Sequence, residues 1–146
     1  MRNKSQTLDV PAFAIAKYPV TNAQYRLFVT AGGYAERRWW TEAGWEAKAK
    51  GWKWDGSQWV ETNQPWAEPR YWNDPNWKSA AWNGDDYPVT GVSWYEATAY
   101  CAWLSAETGE SIGLPGEQQW QRAAQGSDGR AYPWGKIGTL RAATTA

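Results

Sequence analysis

The chain has 146 residues, in which fifteen basic and fifteen acidic side chains cancel, with one cysteine and no histidine. That length suits one domain able to bury a core, and the balanced charge, with Arg37-Arg38 the only adjacent basic pair, leaves no electrostatic footprint for nucleic acid. One cysteine without histidine excludes, within these residues, a disulfide, a Cys/His zinc site, a Ser-His-Asp triad and a Cys-His dyad.

Fourteen Trp and eight Tyr stand against two Phe, so a large part of the buried surface must come from rings with a polar handle. Each buried indole N–H then needs an acceptor. The start, MRNKSQTLDV, has no apolar core for a secretion signal, and no apolar run approaches the roughly 20 residues that span a bilayer. The expectation is a soluble, cytoplasmic protein.

In chain order, Phe13–Tyr18 alternates large and small residues and reads as a strand stopped by Pro19. Thr21 is a good N-cap for a helix over Asn22–Ala31, with Tyr25, Phe28 and Val29 on one face and Gly32-Gly33 as a left-handed stop. Thr41 can cap a short helix through Lys50 with Trp45 turned inward. Trp52–Val60 alternates about Asp55-Gly56, which favours a two-residue hairpin turn.

Residues 61–87 carry Pro65, Pro69 and Pro75, with Trp66, Trp72, Trp77 and Trp82 set amid Asn and Asp. No period is sustained, so this is a long loop, ordered if its indoles anchor it. Core anchoring is the reading their number favours; a stacking surface for a small-molecule or sugar ligand is the alternative. Stacking on rings contributes on the order of 1–3 kcal/mol per base in single-strand binders, but those also need a positive groove.

Ser93 with Glu96 three residues later forms a capping box, starting a helix at Trp94 that Gly109 ends after Thr108. Ala97, Tyr100, Cys101 and Leu104 make its apolar stripe, which reads Cys101 as a packed thiol. Gly116 can open a last helix over Glu117–Ala124 with Trp120, Ala123 and Ala124 inward.

Taken together, PVTNAQYRLFVTAGGY, WWTEAGW, PVTGVSWYEATAYCAWLS, LPGEQQW and DGRAYPWG resemble the N-terminal half of the formylglycine-generating enzyme, or sulfatase-modifying factor, family over about Phe13–Gly135. The resemblance implies a loop-rich α+β fold related to C-type lectin-like domains, here incomplete. Residues 1–12 are then an N-terminal tail, 13–135 the truncated domain and 136–146 a divergent tail. The codons of that tail, reread one nucleotide earlier, permit the Asn-Trp-Asp-Pro run of the family, so a frameshift is expected.

By the resemblance, the family enzyme oxidises a substrate cysteine to formylglycine using copper held by two cysteines of its C-terminal half. Neither has a counterpart here, and Cys101 matches a structural cysteine of the first large helix. No catalytic residue carries over, and formylglycine-generating activity is not expected. Gly113, Gly116, Gln119 and Gln121 stand where the family has an arginine, a threonine cap and acidic residues, a pattern of compensated drift.

Three functions follow as expectations. The first is a catalytically inactive scaffold or binding module that forms a homo-dimer or higher homo-oligomer by covering exposed apolar surface. The second is a hydrolytic activity at an oligomer interface using Asp74, Asp85, Asp86 or Glu96, although no spacing pairs two of them. The third is lectin-like binding through Trp66, Trp72, Trp77 and Trp82. In that case Asp74, Asp85 and Asp86 with Asn73 and Asn83 would offer calcium ligands; otherwise no cofactor or metal is implied.

Overall fold

The computed structural model describes residues 9–73, 83–127, 130 and 132–135. Its helices are α1 (Asn22–Thr30), α2 (Glu42–Lys50), α3 (Trp94–Thr108) and α4 (Glu117–Gln125), with a 3-10 turn at Arg37–Trp39. Strands β1 (Lys53–Trp54) and β2 (Trp59–Val60) pair antiparallel, Lys53 opposite Val60 and Trp54 opposite Trp59. Helices plus one small sheet place the chain in the α+β class. Two units divide it: Tyr18–Leu114, and the segments 1–17 and 115–146. No helix among the described residues is long and apolar enough to cross a membrane.

Local sequence explains each helix start in the first unit. Thr21 Oγ1 accepts from Gln24 N while Gln24 Oε1 accepts from Thr21 N, closing a capping box on α1. The remaining orphan amides of that first turn find distant carbonyls: Asn22 N donates to Tyr87 O (2.8 Å) and Ala23 N to Asp85 O (3.0 Å). The buried Asn22 amide also donates to Asn83 Oδ1 (2.7 Å) and Gly84 O (2.9 Å), so segment 83–89 is tied to the head of α1. Thr41 Oγ1 caps α2 through Gly44 N, and Ser93 with Glu96 forms the expected box on α3.

The core is aromatic. Tyr25, Phe28, Tyr34, Trp40, Ala99, Tyr100 and Trp103 are buried together, with Val29, Trp45, Trp66, Trp72 and Leu104 packed against them. Tyr25 stacks on Tyr100 (5.1 Å, 21°), and Phe28 meets Tyr100 edge-on (5.9 Å, 90°). These offset and edge-to-face contacts suit rings with negative faces and positive edges. Gly33 is required beside them, because a Cβ there would stand 2.1 Å from the Phe28 ring.

Several expectations are corrected. Phe13–Tyr18 forms no strand; its alternation is strand-like, but none of its residues is paired in a ladder and all except Phe13 are exposed. The hairpin loop has four residues, 55–58, because Asp55 Oδ1 accepts from both Ser57 N and Gln58 N and holds a wider turn. On α3 the buried face is Glu96, Ala99, Tyr100 and Trp103, not the stripe through Ala97, Cys101 and Leu104, which is half-buried. A helix with apolar side chains on nearly every side does not announce its core face.

In the second unit, α4 runs to Gln125 and turns Trp120 outward at 64 % exposure, with Ala123 exposed and Ala124 half-buried. Gly116 lacks a capping side chain, and Gln119 Oε1 accepts from Gly116 N (2.9 Å) to satisfy one amide there. Tyr132 and Trp134 stack at 5.4 Å across the turn between Tyr132 and Gly135, whose backbones exchange two hydrogen bonds of 2.9 Å. The tail 136–146 lies outside the described residues.

Candidate functional site

A cleft of about 940 Å³ lies within the first unit. One wall is a single face of α2: Ala43, Glu46, Ala47 and Lys50 recur at helical spacing. Another part of the lining is the loop after β2, whose alternate residues Thr62, Gln64, Trp66, Glu68 and Arg70 border the space. The hairpin contributes Trp52, Lys53 and Trp59, and residues 91–96 at the head of α3 close the end.

The end of α2 fixes this loop. Gly51 takes a left-handed conformation (φ 62°) and stops the helix. The last carbonyls of α2 are then used by the wall itself: Thr62 N and Asn63 N donate to Lys50 O (3.2 and 3.1 Å) and Trp66 N to Lys48 O (3.0 Å). Thr62 Oγ1 donates to Gly51 O at 2.8 Å. Arg70 N donates to Gly91 O at 3.2 Å, joining this wall to the segment that leads into α3.

Most charges around the cleft are already engaged. Lys50 Nζ bridges Glu46 (2.8 Å) and Glu61 (3.3 Å). That pairing lowers the Glu46 carboxyl and raises the Lys50 ammonium from their ordinary values. Arg70 donates to Trp54 O (3.2 Å) and lies over the Tyr71 ring, while Glu68 accepts from the Asn73 amide. Trp59 and Trp94 remain 58 % and 62 % exposed, whereas Trp52, Trp66, Tyr71 and Tyr95 are half-buried.

At the inner end sits Glu96, 4 % exposed. Its Oε2 accepts from Ser93 N (2.6 Å) and its Oε1 from the Tyr34 hydroxyl (2.6 Å), which lies 3.2 Å from the Tyr25 hydroxyl. Burial raises the Glu96 pKa, outweighing the hydrogen bonds that favour the carboxylate. Burial, with the Glu96 charge adding to it, pushes both phenols well above their usual range, so they stay donors. Sequence reasoning found the cap and missed this chain, because Tyr34 is 62 residues from Glu96.

The residues singled out from sequence are dispersed. Trp66 lines the cleft, whereas Trp72 packs on the core beside Tyr25 with Arg26 over its ring at 5.6 Å. Asp85 is paired with Arg26 at 2.8 Å, which lowers its pKa, and Asp86 is exposed. Trp77, Trp82 and Asp74 lie outside the described residues. Asn22, Arg26, Trp72, Asn73 and Asn83 border a small hollow of about 220 Å³. Among the described residues no three His, Cys, Asp or Glu side chains converge as metal ligands. Cys101 is half-buried in α3, and burial raises its thiol pKa.

Residues 2–146 match the family model for the sulfatase-modifying factor enzyme 1-like domain, beyond both ends of the Phe13–Gly135 stretch that carries the motifs. A hercynine oxygenase of Mycolicibacterium thermoresistibile is 34 % identical over 139 residues, covering 90 % of this chain and 27 % of that protein. A formylglycine-generating enzyme of Thermomonospora curvata is 35 % identical over 144 residues (93 % of this chain, 45 % of the enzyme). An "inactive C-alpha-formylglycine-generating enzyme 2" of Mus musculus is 33 % identical over 146 residues (90 % and 42 %). The chain thus spans from about a quarter to under half the length of these relatives, and it belongs to the sulfatase-modifying factor enzyme 1-like family.

Proposed function

We propose that these residues form a scaffold and binding module of the family, with the α2–hairpin cleft as the binding site and no oxidative chemistry of their own. The observation that carries the reading is the state of the only cysteine, so any conversion of a substrate cysteine by the wild-type chain above a protein-free control would overturn it. Cys101 sits in the packed flank of α3 with a raised pKa, and no histidine exists to partner it. A soft copper site needs thiolate or imidazole ligands in number, and nothing in this stretch can assemble them. The relatives include proteins named as enzymes and two named as inactive, and this chain aligns with both kinds.

The direct test is incubation of the protein with copper, oxygen and a cysteine-containing substrate peptide, followed by mass spectrometry of the peptide. No formylglycine is expected. Conversion by the wild-type chain above a protein-free control would overturn the reading, and its loss in Cys101→Ser would assign it to that thiol.

Self-association is a second reading, supported by the outward apolar residues. Leu27, Tyr18, Trp54, Trp59 and Trp94 in the first unit and Trp120 in the second are all exposed. Covering such surface between copies of the chain is a common route to homo-oligomers. Light scattering at micromolar concentration is expected to give a multiple of 16.5 kDa, and a monomer mass would end this reading.

A further inference from the structure

We infer that the cleft is a calcium-independent site for a neutral, β-linked, gluco-configured oligosaccharide; the inference rests on the cleft being a binding site and adds the class of ligand. The argument starts from charge. The cleft lining carries three basic side chains, Lys50, Lys53 and Arg70, and three acidic ones, Glu46, Glu68 and Glu96, so it has no formal net charge. Lys50 is paired with two carboxylates, while Arg70, Glu68 and Glu96 are held by hydrogen bonds to other groups. A phosphate, a nucleotide or a polyamine would meet no surplus of opposite charge there and would lose hydration without an equivalent return.

Hydrogen-bonding capacity, by contrast, is abundant. The Glu46 and Glu68 carboxylates, the Gln64 amide, the Thr62 hydroxyl and the Arg70 guanidinium line one space, and the bonds just described hold most of them in place. Fixed planar acceptors and donors are what hydroxyl-rich ligands require. Rings supply the rest of the wall. Trp59 and Trp94 are more than half exposed, and Trp52, Trp66, Tyr71 and Tyr95 of the same lining are half-buried.

A pyranose with equatorial substituents has an apolar C–H face and a polar edge, matching an indole face beside a row of amides and carboxylates. β-Linkage keeps successive units flat, so that one ligand can offer C–H faces to more than one exposed indole. The cleft falls within the range of sites for small organic ligands, roughly 300–1,000 Å³, and the α2 face from Ala43 to Lys50 runs about 10 Å.

The experiment is calorimetric titration of the full chain, in EDTA, with cellotetraose and with tetra-N-acetylchitotetraose at millimolar concentration, using maltotetraose as the bent α-linked comparison. Trp59→Ala, Trp94→Ala and the remote Trp120→Ala are titrated in parallel, each with a thermal melt to show that it folds. Support is binding of one β-linked tetramer, weakened about tenfold or more by each cleft substitution and unchanged by Trp120→Ala. A proline-containing decapeptide and an anilinonaphthalene sulfonate dye are the control probes. If either control binds, is lost in Trp94→Ala, and no sugar binds, the ligand class is wrong while the binding-site reading stands. If no probe binds at all, both are overturned.

Discussion

Indoles serve opposite ends in two parts of the first unit. In the aromatic core, buried polar atoms find fixed partners: Trp40 Nε1 donates to Gly33 O at 2.9 Å, and the Tyr34 hydroxyl donates to Glu96 at 2.6 Å. Around the cleft, Trp59 and Trp94 keep more than half their surface in water. A ring that has lost its hydration must be satisfied within the protein; a ring at a rim is satisfied by solvent until something displaces it. Composition alone therefore cannot assign a tryptophan a role. Its partner can.

Substitution in the core should separate the two regions most widely. Trp40→Ala removes a ring 5.4 Å from Tyr34 and leaves the Gly33 carbonyl without its donor. Truncating a buried large aromatic costs about 3–5 kcal/mol, so urea unfolding should show a loss of that size. A loss under about 1.5 kcal/mol would mean that the core is not packed as described.

Gly51→Ala comes next and probes whether the cleft wall is as rigid as the core. The left-handed backbone is strained for any residue with a Cβ, and the added carbon would stand 2.1 Å from Gln64 O. Strain and overpacking together predict a loss of about 2 kcal/mol or more, with altered tryptophan fluorescence as the 62–66 wall shifts. An unchanged melt would show that the wall yields freely.

What the sequence disclosed and what it hid divide along the same line. Thr21, Thr41 and Ser93 each cap a helix through bonds spanning three residues, so a local pattern sufficed, and the family motifs followed from the same stretches. The Tyr34–Glu96 and Asn22–Asn83 bonds span 62 and 61 residues and left no local trace. The cleft wall from Thr62 to Arg70 is loop, as Pro65 and Pro69 suggest, and the lining of the cleft by its alternate residues is not read from the sequence. Trp120 misled because α4 is amphipathic by sequence yet presents its indole to solvent.

Glu96 joins the two regions, and its effect should be intermediate and pH-dependent. Glu96→Gln keeps the shape but sets an amide N–H₂ against at least one of two donors, costing about 1 kcal/mol. Because burial raises the folded-state pKa, the folded form holds its proton more tightly than the unfolded one. The site's contribution is therefore full below the ordinary carboxylate range and is lost as pH rises through the raised folded-state value. The stability gap between wild type and Glu96→Gln should be widest near about pH 4 and narrow toward neutrality. Urea midpoints across that range measure it; a gap that widens with pH would reverse the assignment.

Trp59→Ala should have the smallest effect on stability, and for that reason it is the most exacting comparison with Trp40→Ala. The ring is 58 % exposed and meets Trp54 edge-on at 5.8 Å, another exposed side chain of the hairpin. An aromatic cross-strand pair contributes roughly 0.2–1 kcal/mol, and surface changes away from special features stay within about 0.5 kcal/mol. The midpoint of unfolding should shift by no more than the upper end of that pair term. A shift approaching that of Trp40→Ala would show that the hairpin is an extension of the core, and that its indole is exposed by geometry without being free to serve a ligand.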